Sequence, residues 1–292
     1  MKPNTRIFLK SFCISLIFSG ILAFFIILTQ IPSYEKQNNS SFSAVRGFEA
    51  GENDKFNLLI TISGQENSPH TYLLLGFNGQ QEQISVCRLF PQTLLSQEGE
   101  KKVILKECFD AAGAGGAAKA ISSFFSIDVS KYISFTNSQL LSFFELFDPI
   151  SISVSENLSQ VDRKNDIYIK IDKGRQIMGG ILILDYLAYT KWECGESGAL
   201  YEGARIVSEF MRQNAQALSL SSGSAAENFL LGNTRTNISI TDIEKRRELI
   251  SFLFKENSDS IYPIGINGNF AAQNTEYIPS ISSTVKISAL FS

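Results

Sequence analysis

"KFNLLITIS" (55–63), followed by "TYLLLGFN" (71–78) and "QISVCRLF" (83–90), decides the fold class. Each run has the length of a strand and is apolar almost throughout, instead of at every second residue. A sheet with one wet face alternates apolar with polar side chains, whereas a strand covered on both faces has no reason to. The three runs therefore predict a sheet lying between two layers of helices. "VILKECF" (103–109) reads as a fourth strand, and "SKYISFT" (130–136) and "ISISVS" (150–155) as later ones. Between and after them the period changes to that of helices. "AAGAGGAAKAISSFFSID" (111–128), "SQLLSFFELF" (138–147) with Ser138 as a cap, and "ALYEGARIVSEFMRQNAQAL" (199–218) all carry apolar residues at helical spacing. "GRQIMGGILILDYLAYTKW" (174–192) fits either period, and a helix with glycines at its start suits the layering. Strands and helices alternating in this way predict an α/β fold, an α-β-α sandwich around a central mixed sheet.

Working outward, the N-terminal side has a different character. Lys2, Arg6 and Lys10 precede a stretch from Ser11 to Ile31 that carries no charge and ends at Pro32. Such a stretch can cross the ~30 Å hydrocarbon layer as one helix. Cations in front of it favour a cytoplasmic N-terminus and an exported remainder. A cleavable signal peptide is the competing reading, but its apolar core spans only ~7–15 residues and ends in small residues; "TQIPSYEK" has no such site. The expected organisation is a cytoplasmic N-terminus (1–10), a transmembrane anchor (11–31), a polar extracytoplasmic linker (32–54) and one domain (55–292), placing the protein in the cell membrane.

With 292 residues, 44% of them hydrophobic and 19% charged, the chain can bury a substantial core. A net charge of −3 gives no broad basic field, so nucleic acid is set aside as a partner. Outside the anchor, Cys87, Cys108 and Cys194 show no metal-binding spacing, and no disulfide is required, with Cys87–Cys108 left open. His70 is the only histidine, and no nucleophile motif accompanies it. Nothing in the sequence sets an oligomeric state.

In order and spacing, these elements resemble the LytR-CpsA-Psr family of membrane-anchored extracytoplasmic bacterial proteins. The family's "NILLLG" strand and "RSDT" correspond to "NLLITIS" (57–63) and "SPHT" (68–71), and its "PRDT" to "FPQT" (90–93). Its "AYAYGG" and following helix are similar to "CFDAAGAGGAAKAISSFFSID" (108–128), its "GxxxLxGxxAL" to "GRQIMGGILIL" (174–184), and its "GDxGRIxRQ" to "LYEGARIVSEFMRQ" (200–213). The resemblance implies a central sheet flanked by helices. It also implies transfer of a phosphate-linked glycopolymer from a polyprenyl pyrophosphate carrier to peptidoglycan, with Mg²⁺ held by carboxylates and the pyrophosphate by arginines.

Carried over position by position, the motif arginines and aspartates become Ser68 and His70 in the first motif and Pro91 and Gln92 in the second, so both expected Mg²⁺ carboxylates are replaced. No metal ligand is assigned. His70, Gln92 and Thr93 remain as groups that can hydrogen-bond a phosphate, against the plainer reading of His70 as a polar residue at a strand entrance. Arg205 matches the first arginine of "GRIxRQ". Ser208 stands for the second, with "RQ" recurring one turn on at Arg212 and Gln213. Arg205 and Arg212 are thus the catalytic and substrate-binding candidates, Arg212 being equally readable as a solvated helix charge. Lys191 stands for the arginine of "ALAYVR" if three residues are inserted. Strand alternation aims Arg88 away from the neighbours of Thr93. Two functions follow. An enzyme should gather Arg205, Arg212 or other cations around an open cavity. An inactive carrier-binding or scaffold module should pair its arginines and fill the cavity with side chains such as Phe124, Phe125 or Phe143.

Overall fold

The computed structural model describes residues 48–292 apart from 49, 52–53, 65–67, 97–101, 163–166, 220–222 and 272–274. The expected anchor and most of the linker lie outside the described residues. Among those described, no helix is long and apolar enough to cross a membrane.

In chain order the elements are β1 (Lys55–Ser63), β2 (Pro69–Asn78), β3 (Gln83–Leu89), α1 (Leu105–Phe125), β4 (Lys131–Thr136), α2 (Asn137–Phe144), β5 (Ile150–Val154), β6 (Leu158–Asp162), β7 (Ile167–Ile171), β8 (Gly174–Met178), α3 (Gly180–Ala188), α4 (Gly195–Gln213), α5 (Ala215–Leu218), α6 (Ala225–Asn233), β9 (Arg235–Thr236), α7 (Ile240–Lys255), β10 (Ile261–Ile264), β11 (Gly268–Phe270), β12 (Tyr277–Pro279) and α8 (Ile281–Phe291). Six strands form the main sheet in the order β10-β3-β2-β1-β4-β9. It is mixed: β1 runs parallel to β4 and β10 parallel to β3, while the remaining pairs are antiparallel. Pairs β5–β8, β6–β7 and β11–β12 make separate two-stranded ladders.

The continuous apolar runs are explained by cover on both faces. Leu58, Ile62, Leu73, Leu75, Ile84, Val86, Ile133 and Phe135 face α2, α3, α4, α6 and α7, while Leu59, Tyr72, Leu74, Cys87 and Leu89 face α1 and α8. The expected sandwich with a central mixed sheet is the observed architecture.

Three local expectations are corrected. Residues 105–109 of the expected fourth strand are helical: Leu105 is buried, Phe109 packs on the same core four residues later, and Lys106 pairs with Asp110 at i,i+4. The cap of α2 is Thr136, not Ser138. Its hydroxyl accepts from the Gln139 amide while Gln139 returns a bond to the Thr136 amide. Residues 174–178 form a strand because "GRQIM" pairs with "ISISV" of β5, and the helix begins only at Gly180. A Cβ at Gly180 would lie 2.9 Å from Leu141 Cδ1. Inside α1, Ala112 and Gly113 leave helical geometry, Gly113 at φ +63°.

Candidate functional site

The residues matched to the two motifs sit at one end of the sheet, where β2 begins and β3 ends. His70 is half-buried there, its Nε2 2.9 Å from Asn137 Oδ1 and its Nδ1 3.0 Å from Thr71 Oγ1. Burial lowers the His70 pKa, the Asn137 bond opposes this, and the nearby Arg88 charge adds to the lowering. Neutral His70 suits the geometry: Nε2–H donates to Asn137, and Nδ1 accepts from the Thr71 hydroxyl.

Thr71 leads inward to Arg88, which β3 places opposite Leu73 on the same face of the sheet. Arg88 is 5% exposed. Its Nη2 donates to Leu187 O at 2.7 Å and to Thr71 Oγ1 at 3.4 Å, its Nη1 donates to Ala199 O at 3.4 Å, and its Nε has no partner. None of these partners is a carboxylate. The charge is offset instead by main-chain carbonyls, Leu187 lying in the last turn of α3, where the helix dipole is negative. Burial brings the Arg88 pKa down to about 10. The guanidinium fits because residue 203 is glycine: a Cβ there would lie 2.6 Å from Arg88 Nη1.

On the opposite face, Tyr72 is fully buried against the Phe109 ring and its hydroxyl has no partner. Burial raises its pKa, and Asp110 and Cys108 add to the effect. Asp110 accepts from Ser68 Oγ at 3.0 Å and from Lys106 Nζ at 2.8 Å. Gln92 is exposed, and its carbonyl accepts from the Tyr277 amide. Thr93 is buried and donates its hydroxyl to Phe90 O at 2.7 Å, closing the turn that ends β3. Arg88 and Thr93 do face different neighbours.

The other sequence candidates lie apart from this end. Arg205 donates through Nε and Nη2 to Glu202, through Nη2 to Tyr186 Oη at 2.7 Å, and to Ser153 O of β5 at 3.1 Å. Tyr186 also donates to Glu202. Burial acts against the Arg205 charge, but the Glu202 hydrogen bonds outweigh it and the pKa is raised. Arg212 pairs with Glu209 at 2.6 Å and reaches Ile261 O of β10 at 2.8 Å. The two arginines therefore serve different strands and do not converge. Lys191 is exposed in the connection between α3 and α4.

Between the sheet and α2, α4, α6 and α7 lies a cavity of about 180 Å³. Its walls are almost wholly apolar, with Leu73, Phe135, Phe143, Phe210 and Phe254 among them. Phe143 is a wall and leaves the space open, while Phe124 and Phe125 belong to the core on the other face. The structure thus combines half of each sequence expectation: an open cavity, and arginines held in ion pairs.

A divalent cation such as Mg²⁺ needs oxygen ligands, chiefly carboxylates. At the motif end Asp110 is committed to Ser68 and Lys106. Among the described residues no group of three or more His, Cys, Asp or Glu is arranged to hold a metal ion. The described residues at this end do not fit Mg²⁺. The described thiols of Cys87, Cys108 and Cys194 are free.

The fold has counterparts. The sequence model of the LytR_cpsA_psr family matches residues 33–287. The chain belongs to this family. A crystal structure from Eubacterium siraeum DSM 15702 superposes with a TM-score of 0.74 at 22% identity, covering 86% of this chain and 96% of that one. TagV of B. subtilis gives 0.60 at 15%, covering 80% and 94%. A structure of TagT bound to LIIa-WTA gives 0.60 at 14%, covering 87% and 95%. At these identities the likeness is one of fold. No sequence among the curated proteins matches. Family membership ties the LytR_cpsA_psr chain to cell-wall polymer assembly in general.

Sequence reading set Arg88 aside on strand alternation and did not anticipate its burial among main-chain carbonyls, or the Glu202–Tyr186 clamp on Arg205. The signal for Arg88 was present: one charge inside "QISVCRLF", a run otherwise predicted to be buried on both faces, has to find partners within the core. The clamp carried no such signal, since Tyr186 and Glu202 are brought together only when α3 packs on α4.

Proposed function

We propose that this protein is a membrane-anchored, extracytoplasmic LytR_cpsA_psr member that holds a polyprenyl-linked carrier during assembly of a cell-wall polymer. The observation that carries the reading is the apolar cavity against the sheet, whose predominantly apolar lining suits a hydrocarbon chain, with Lys131, Thr236, Asp242 and Arg246 as its polar side chains. The uncharged stretch at 11–31 would keep the domain beside the bilayer in which such carriers reside. The relative TagT, solved with LIIa-WTA bound, has the same fold.

The family's transfer of the polymer to peptidoglycan is less well served by this chain. Its motif positions carry Ser68, His70, Pro91 and Gln92, and Arg205 and Arg212 are already paired with Glu202 and Glu209. These pairings favour a carrier-binding module with a degenerate catalytic set over a metal-assisted phosphotransferase.

Calorimetric titration of a short-chain polyprenyl pyrophosphate into the full chain in nanodiscs, with and without Mg²⁺, tests the proposal. Binding should occur without Mg²⁺, persist in Arg205→Ala and be lost in Val207→Trp, which fills the cavity. Absence of binding under both conditions would overturn the carrier reading, and binding that required Mg²⁺ and Arg205 would restore the enzyme.

A further inference from the structure

Strands β5 and β8 pair over five residues each, and the two outer edges of this ladder differ. The β5 edge is sealed by side chains at and beyond the end of α4. The Gln213 amide accepts from Ser151 N and donates to Ser151 O, both at 2.8 Å, the Asn214 amide does the same for Asp148 at 3.2 Å, and Arg205 donates to Ser153 O at 3.1 Å. Gln213 thus does for Ser151 what the facing residue of a further strand would do. It also reveals the phase of the ladder. Because Ser151 turns both main-chain groups away from β8, Ser151–Ile177 is a pair without mutual hydrogen bonds, and so is Ser153–Arg175 two residues on. The N–H and C=O groups of Arg175 and Ile177 therefore point along the free edge of β8, where no hydrogen bond meets them among the described residues.

Edge strands elsewhere in the molecule are blunted. In the main sheet β10 carries Pro263 and β9 is only two residues long, and both features resist a further strand. β8 has neither proline nor bulge, Ile177 is 73% exposed on it, and Ile181 of α3 is 64% exposed just beyond. The charge around this edge is one-sided. Lys170, Lys173 and Arg175 are exposed and form no ion pair among the described residues, and Asp172 is the single acid between them. The Arg175 guanidinium uses only Nε, donating to Ser151 Oγ at 2.9 Å, so both terminal nitrogens are left for the two oxygens of a carboxylate. α3 then begins without a side-chain cap, which adds the positive end of its dipole.

We infer that the β8 edge takes up an extended, acidic segment of a partner protein as an added strand, with a carboxylate facing Arg175 and an apolar side chain facing Ile177. Main-chain pairing with Arg175 and Ile177 supplies the attraction, and the two outward side chains select the sequence. A second copy of this chain is a poorer occupant. Antiparallel pairing of two β8 strands about Gln176 sets Arg175 of each copy diagonally across one face, like charge against like. The lining of the apolar cavity contains no residue of β5 or β8, so the inference is independent of the carrier reading.

Three fluorescein-labelled peptides titrated into the full chain in phosphatidylcholine nanodiscs test this. The first is Thr-Val-Thr-Glu-Thr-Val-Thr, which puts its carboxylate and valines on one face. The second replaces Glu by Lys, and the third is the acidic peptide N-methylated at Glu and both Val, the amides that would face β8. Anisotropy follows binding, and hydrogen exchange follows the β8 amides. The acidic peptide should bind and slow exchange at Arg175 and Ile177. The lysine peptide should bind about fivefold more weakly, the scale of one exposed ion pair, and the methylated peptide should not bind. Arg175→Glu should reverse the preference between the first two. Ile177→Pro, which removes an N–H that takes no part in the β5 ladder, should abolish binding of both. Arg175→Glu leaves the main chain intact and keeps the test valid should Ile177→Pro unfold the ladder.

Binding of the methylated peptide as tight as that of the acidic one would mean that no strand is added, and would overturn the inference. So would the absence of binding by every peptide, or slowed exchange that misses Arg175 and Ile177. Equal binding of the acidic and lysine peptides, unchanged in Arg175→Glu, would overturn the acidic partner. Slowed exchange at β8 without any peptide, rising with protein concentration beside a dimer in sedimentation, would make a second copy the occupant and overturn it as well. None of these outcomes touches carrier binding, which the polyprenyl pyrophosphate titration reads separately.

Discussion

The face of the sheet under α1 and α8 is closed, with the small Ala117 and Ala118 of α1 set among Ile121, Ile287 and the large Tyr72, Phe125 and Tyr277, whereas the face under α2, α4, α6 and α7 carries Phe135, Phe143, Phe210 and Phe254 and is still hollow. Residue size alone does not separate the two. Small residues let α1 approach the strands until backbone limits it. Aromatic rings on the other side meet one another instead of the sheet: Phe143 contacts Phe135, Phe147 and Phe229, and Phe210 contacts Phe144 and Phe147, mostly tilted or edge-on at centroid separations of 4.7–5.7 Å. These contacts make a self-supporting wall that holds the helices off the strands. A cavity built in this way persists without a ligand because the wall does not depend on what it encloses.

The sharpest way to break this comparison is to remove one large ring from the flush face. Phe125 is 1% exposed and packs against Phe124 at 4.9 Å. Phe125→Ala should destabilise by about 3–5 kcal/mol, because tight surroundings cannot relax into the gap. Urea denaturation measures it, and a loss under about 1 kcal/mol would mean that this face is not close-packed.

The origin of that contrast also marks how far the sequence could be read. Burial on both faces was legible in "KFNLLITIS" and "TYLLLGFN", because continuous apolarity depends only on local composition. Which face would be hollow was not, since "ISSFF" of α1 and "LLSFF" of α2 look alike as strings and differ only in what the topology sets opposite them. The start of α1 was misread because "VILKECF" satisfies both periods, and the Lys106–Asp110 pair that favours the helix shows only at i,i+4 spacing. At the candidate site the motif positions were legible, while the pairing of Arg205 with Glu202 and of Arg212 with Glu209 required knowing which helix face each side chain occupies.

Adding atoms sharpens the comparison at a smaller scale. Ala117→Leu, on the flush face, should cost about 1–3 kcal/mol through overpacking. Val207→Phe, which projects into the cavity, should instead stabilise by about 0.5–1 kcal/mol as a void is filled. Paired denaturation curves check the difference in sign. Destabilisation by both would show that the hollow face is as rigidly specified as the full one.

The smallest effect lies at the polar end of the hollow face and depends on pH. His70 has its pKa lowered in the fold from the ordinary 6.5, by burial first and by Arg88 as well, although Asn137 opposes the shift. The unfolded chain therefore takes up a proton on His70 before the folded protein does. Stability is fully present above about pH 6.5 and falls as pH drops from there toward the lowered folded value, below which the difference is constant. In physical terms, protonation would leave Nδ1 with a hydrogen facing Thr71 Oγ1, which must then accept from His70 as well as from Arg88 and turn its own hydrogen elsewhere. Asp110, whose pKa is lowered by its Lys106 bond, titrates below 3.8 and stays out of this window. The wild type should thus lose stability between pH 7 and pH 5.5, and His70→Gln should lose less. Parallel urea titrations at the two pH values decide it: equal losses would mean that His70 is solvated and that the chain from Asn137 through Thr71 to Arg88 does not hold it neutral.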